Sequence, residues 1–280
     1  MSPLLADSGH PPAEALPSQG SFIPVKIGSY VDNIESVSIR DSVWTANLYI
    51  WFSWSGSKEL DPGEQFVIVD GTILKKDRIE AYHGEDNRHY QKYRLTAKFL
   101  KHFDTMRVPL ESHMLNIHIE DATRDAHTLR YVADPESNIS SRIQIPGFTI
   151  LKHSTTVKPH TYRSAHGDPR QIGARISTRM QYIVGIDIQR SGPGVYLKIF
   201  VALFAALMLA LANFFILPTD VSPRFSLPSA AFFGAVSNTY VVNSILPPSG
   251  SFGLVDFVAC FGMGSIFLTI ALSLIANHLC

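Results

Sequence analysis

The 280-residue sequence predicts an all-β, immunoglobulin-like sandwich followed by an α-helical transmembrane domain. Three observations carry that expectation. Charge is confined to one part of the chain: of 24 Lys and Arg and 24 Asp and Glu, only Asp220, Arg224 and Asp256 lie beyond Lys198. The charged part contains short apolar runs with strand character, separated by turn residues. The tail contains three uncharged stretches, each close to the ~20 residues that a helix needs to cross a hydrocarbon core of roughly 30 Å.

The average composition, 46% hydrophobic and 17% charged, conceals these two materials. An 82-residue tail with three charges has no polar face to show to water, which excludes a single soluble globule. The first 198 positions are long enough to bury a core of their own, which excludes a membrane-only protein.

Residues Met1 to Gly20 are rich in Pro, Ser, Ala and Gly and lack an apolar run, so they read as a disordered leader without the features of a signal peptide. The sandwich is expected over 21–192. Trp44 to Trp54 and Met114 to Glu120 carry β-branched and aromatic residues in partial alternation, the pattern of half-buried strands. Shorter runs at Phe66–Val69, Phe148–Leu151 and Arg179–Ile186 are set off by Asp61-Pro62-Gly63, Asp134-Pro135, Pro146-Gly147 and Gly167-Asp168-Pro169. The transmembrane domain is expected over 193–280, with spans at about 196–217, 224–246 and 253–277. Pro218 to Arg224 and Pro247 to Asp256 are short enough to demand tight hairpins, and three spans put the carboxyl terminus opposite the β domain. Pro228 predicts a kink or a late start in the second span.

Function classes narrow quickly. Formal net charge is +0 and Lys and Arg form no runs, so there is no electrostatic footprint for nucleic acid. Both cysteines, Cys260 and Cys280, lie in the tail, leaving the polar domain without a disulfide or thiolate metal site. No nucleophile elbow, phosphate loop, zinc signature or carboxylate pair is visible, so neither an enzyme nor a cofactor is expected. The 11 histidines sit mostly in the polar part. His113 and His118 are the best placed for proton sensing, whereas His153, His160 and His166 lack ligand-like spacing.

A sandwich followed by spans in rapid succession, with Phe103-Asp104-Thr105-Met106-Arg107-Val108-Pro109-Leu110-Glu111-Ser112-His113-Met114-Leu115 about two-thirds along the sandwich, resembles the pentameric ligand-gated ion channel family, the Cys-loop or Pro-loop receptors, and its bacterial branch in particular. Val108-Pro109-Leu110-Glu111 fills the centre of the family's loop, with Lys101 and Leu115 in place of the half-cystines and without the aromatics that flank the proline. Asn47 to Trp54, Lys158-Pro159, Ile188-Gln189-Arg190 and Val241 to Pro247 carry further likeness, over about Val25 to Ala276. The family has a fourth span, and this sequence ends at Cys280 after the third, so the resemblance implies a truncated sequence, or a degenerate or split member.

The resemblance implies a multi-pass subunit of the cell membrane with its β domain extracytoplasmic, a homo-oligomer of five in contact with lipid, and a small-molecule or proton agonist. Pore-lining residues would be Ser226, Ala230, Phe233, Ser237, Tyr240 and Asn243. The first five, with Ser244, recur at intervals of three and four and so share a helix face. The same serines could instead bond their own helix backbone. Phe233 would stand at the central apolar gate. Ser222 and Asn243 hold the places of the family's acidic rings and are uncharged, which leaves charge selectivity open.

Gating coupling is implied for Arg190, Glu111, Pro109 and Pro247, with Asp41 or Glu35 as a third partner of a bidentate Arg–carboxylate junction. Ligand contact is implied for Tyr162, Arg163 and Tyr131, under a cap from Pro159 to Gly173 that includes His160, His166 and Arg170. Its basic content suits an acidic or zwitterionic ligand. The competing reading is a non-conducting membrane-anchored β-sandwich sensor or binding protein.

Overall fold

The computed structural model describes residues 22–164, 176–217, 220–247 and 252–279. The leader, Gly167-Asp168-Pro169, His166 and Arg170 lie outside the described residues.

Two β-sheets share one core. In the first, β1 (Ile23–Ser38), β2 (Val43–Ser55), β4 (Gly71–His83), β5 (Arg88–Leu100) and β7 (Leu129–Ala133) run in the order β4-β5-β2-β1-β7, with the two-residue β8 (Asn138–Ile139) also on β1. In the second, β3 (Phe66–Ile68), β6 (Ser112–Asp121), β10 (Ser177–Arg190) and β9 (Phe148–Tyr162) run β3-β6-β10-β9. A single helical turn, α1 (Pro62–Gln65), starts where Asp61 takes a left-handed backbone.

Strand β2 shows why the sequence folds this way. Its residues alternate, and Trp44, Ala46, Leu48, Ile50, Phe52 and Trp54 are all buried. Trp44 stacks on Phe99 of β5 at 4.3 Å between ring centroids. Leu115, Ile117 and Ile119 of β6, with Tyr182, Val184 and Ile186 of β10, complete the same cluster from the other sheet. Gly28 lies opposite Trp51 across β1 and β2, and a Cβ there would fall 2.4 Å from the indole carbons. The absent side chain is what lets Trp51 lie flat and donate Nε1–H to Asp134 at 2.9 Å.

After Arg190 come α2 (Pro193–Ala212), a 3-10 turn (Asn213–Phe215), α3 (Val221–Ile245) and α4 (Leu254–Leu279). These coincide closely with the three expected spans. Gly194–Phe215 and Leu254–His278, 22 and 25 residues, are long and apolar enough to cross a membrane. Helix α3 has the length but is diluted by Ser, Asn and Pro, and is not one of those two. It runs through Pro228 from Val221, so the late start expected from that proline is not observed. Pro223 falls in the first turn, where its missing N–H costs no intrahelical bond. The helices pack through Phe200, Leu203, Ala206, Ala210, Ala231, Ala235, Val242, Val255 and Ile266.

Candidate functional site

The two parts meet at the loop between β5 and β6. Val108 and Pro109 are buried there, and Val108 belongs to the helical cluster, not to the sandwich core. The N–H of Leu254, at the start of α4, donates to the Met106 carbonyl at 2.8 Å. A Cβ at Gly253 would sit 3.2 Å from the carbonyl oxygens of both Thr105 and Met106, so this approach depends on the glycine.

At the end of the loop, Arg190 and Glu111 form an ion pair with side chains only 12% and 3% exposed. Arg190 Nε and Nη2 reach Glu111 Oε1 at 2.8 and 2.7 Å, and the Arg190 N–H donates to the Glu111 carbonyl at 3.1 Å. Both guanidinium nitrogens converge on one oxygen and leave Oε2 buried without a hydrogen-bond partner, so the pair is not the expected bidentate one. The guanidinium lies over the Phe148 ring at 4.3 Å, a cation–π contact.

The expected third partners do not join. Asp41 accepts from Ser38 Oγ at 2.6 Å on the exposed β1–β2 turn, and Glu35 accepts from Asn47 Nδ2 at 2.7 Å. The neighbouring Arg40 reaches the helices instead, donating from Nη1 to the Ser244 carbonyl at 2.9 Å in the last turn of α3. A cation there meets the negative end of the helix dipole. The signal in the sequence was the basic residue beside Asp41. Pro247 is half-buried just past α3, where the Leu246 N–H closes the last turn on Val242.

Next to Glu111, buried His113 packs against Phe103 and Phe148, with Nε2 lacking a partner. Burial holds its pKa below the ordinary imidazole value, and Lys101 and Arg190 act in the same direction, opposed by Glu111 and Asp104. His118 is paired with Asp70.

Helix α3 sorts its residues by face. Arg224, Pro228, Ala231, Ala235, Asn238 and Val242 are buried against its own bundle. Ser226, Ala230, Phe233, Ser237, Tyr240 and Asn243 are all exposed, Phe233 by 71% and Tyr240 by 75%. The hydroxyls of Ser226, Ser237 and Ser244 donate to the Pro223, Phe233 and Val241 carbonyls of the same helix. A hydroxyl whose proton is so committed still presents lone pairs outward.

At the far end of the second sheet, Tyr162 donates its hydroxyl to Glu120 Oε2 at 2.8 Å, and burial followed by the Glu120 charge pushes its pKa up to about 12. Gln181 Nε2 donates to the same oxygen at 3.1 Å, and Arg179 Nη1 lies 3.4 Å from Oε1 and bonds the carbonyls of Asp121 and Ala122 at 2.9 and 2.8 Å. Glu120, Arg179 and Gln181 were missed from the sequence; Arg179 and Gln181 stand two apart on one strand, which was the available sign of a shared face. Arg163 is exposed at the tip, and His160 packs edge-on to Tyr162. Tyr131 is a correction. It is 3% exposed in the sandwich core beside Phe52, with its hydroxyl buried and unpartnered, and so does not face a surface that a ligand reaches. The inward position on β7 decides this.

Among the described residues, no group of three or more His, Cys, Asp or Glu side chains is placed to hold a metal ion. No protein-family model matches the chain, and no curated protein matches it.

Proposed function

We propose that this chain is a subunit of a ligand- or proton-gated ion channel of the pentameric type, anchored in the cell membrane with the sandwich outside. The observation that carries the reading is the unpartnered Ser226–Asn243 stripe of α3, turned away from α2 and α4 along its whole length. One such helix cannot enclose a path, whereas copies related by a closing rotation bring five stripes around one axis. The serine lone pairs then face the path, and a ring of Phe233 forms an apolar constriction that gates by dewetting.

Ligand binding near Tyr162 and Arg163, or protonation in the sandwich, acts on the pore through the β5–β6 loop. Val108 sits among the helices, Arg190 and Glu111 clamp the base of the loop, and Arg40 holds the end of α3. The non-conducting alternative draws on the backbone-bonded serines, which also suit an ordinary anchor. Cysteines placed singly from Ser226 to Ser244, probed with a water-soluble thiol reagent during bilayer current recording, separate the two. Current blocked with a helical period centred on Phe233 and Ser237 supports the channel, and absence of current with no reactive position supports the anchor.

A further inference from the structure

The tip of the β4–β5 hairpin, at the end of the first sheet remote from the loop to the helices, holds two imidazoles edge-on to each other. His83 and His89 are direct cross-strand partners. Their Nδ1 atoms are 3.0 Å apart, with the ring centroids at 5.1 Å. His89 is buried, and its Nε2 lies 2.9 Å from the Gly56 carbonyl. A carbonyl only accepts, so Nε2 carries the hydrogen, and in the neutral form of that ring a bare Nδ1 faces His83. Trp54 packs on both rings and donates Nε1–H to the Ser57 carbonyl at 3.0 Å, which fixes the turn that supplies Gly56.

We propose that His83 and His89 chelate one late first-row divalent cation through their Nδ1 atoms, Cu2+ in preference to Zn2+, with water filling the remaining positions. Ligating histidines characteristically donate their second ring N–H to a carbonyl, as His89 does to Gly56. Two nitrogens about 2.0–2.1 Å from one metal, at angles between square-planar and tetrahedral, stand about 2.8–3.4 Å apart, and the observed separation falls inside that range. Imidazole pairs suit Cu2+, Ni2+ and Zn2+, and affinity peaks at Cu2+.

The surrounding charges come from three elements: Lys58 of the 3-10 turn after β2, Asp61 before α1 and Arg78 of β4. Lys58 and Arg78 repel a metal here, and Asp61 offsets part of that repulsion. On binding, the proton between the two Nδ1 atoms leaves and His83 takes one at Nε2, so the neutral pair binds without net proton release. The metal then clasps the hairpin tip to the turn after β2.

The test is electron paramagnetic resonance of Cu2+ added at one equivalent to the full chain in detergent. The expected result is one bound ion per chain with coupling to two imidazole nitrogens, weakened about tenfold or more in His83→Ala and in His89→Ala and unchanged in His127→Ala, on an exposed turn of the same domain. His83 is exposed, so its variant reads the site even if the buried His89 variant does not fold. Binding by His83→Ala equal to that of the unaltered chain, or no ion held by the unaltered chain, overturns the proposal.

Discussion

The sandwich and the helices bury different mixtures of residue. In the sandwich the largest side chains are innermost: Trp44, Tyr93, Tyr182, Phe52 and Phe99 have almost no exposure. In the helices the interior mixes Phe200, Leu203 and Ile266 with small or polar residues, among them Ala206, Ala210, Ala231, Ala235, Asn213, Asn238, Thr269 and Ser273, while Phe215, Phe233, Met208 and Phe261 stand outside, Phe215 by 91%. Asn213 and Ser273 hydrogen-bond each other within that interior. Water drives aromatic residues inward, but apolar surroundings give no such drive, and helices then associate through close backbone approach and polar contacts. The difference teaches that the two parts pack by different rules, and two of the helices are long and apolar enough to cross a membrane.

The sharpest way to break this contrast is to remove a charge where the two materials meet. Glu111→Ala leaves Arg190 buried without its counter-ion and should cost about 3–5 kcal/mol in denaturant unfolding. Arg190→Ala should cost less when made in the Glu111→Ala background than alone, because the two residues form one contact.

A second test enlarges the helical interior. Ala231→Leu, at a fully packed position, should destabilise the helical part by about 1–3 kcal/mol through overpacking, seen as a lower thermal midpoint in detergent.

Acid should discriminate between the regions. His113 has a folded-state pKa below its unfolded value of 6.5, so the stability it contributes is complete above 6.5 and lost as pH falls through the folded-state value. Thermal midpoints measured downward from pH 7 should therefore drop, and His113→Phe should flatten that part of the profile. The helices, whose only charged side chains beyond Lys198 are Asp220, Arg224 and Asp256, should show little of it.

The smallest effect on folding is expected for Phe233→Ser. At an outward position the change should stay within about 0.5 kcal/mol. Under the proposed function the same change raises resting leak, and Asn243→Glu shifts reversal potentials toward cations through the local negative potential.

What the sequence made legible follows from the same contrast. Trp44 to Trp54 announces a strand because both periodicity and residue type point one way, and the helices announce themselves by length and lack of charge. The β4–β5 hairpin was not legible. Strand β4 carries Lys75, Lys76, Asp77, Arg78 and Glu80 at a sheet edge, where charge protects against edge pairing and erases the apolar alternation. The length of strand β9 past Leu151 was not legible for the same reason, since Ser154, Thr155 and Thr156 lie on an edge. The Arg190–Glu111 contact could be expected from the resemblance, but its fork onto a single oxygen, and the Phe148 ring against the guanidinium from more than 35 positions away, could not. Tyr131 was misplaced because one tyrosine in a five-residue strand does not say which face is inward.

Val108 has a consequence for anyone who would recombine this protein. Read along the chain, the boundary between the two halves falls after Arg190, but Val108 keeps company with Phe200, Leu203 and Val255. A chimera cut at 190 and given a foreign sandwich would receive a stranger's peg in its own helical socket. The heritable unit is discontinuous: the segment from Lys101 to Glu111 and the turn that carries Arg40 must travel with the helices.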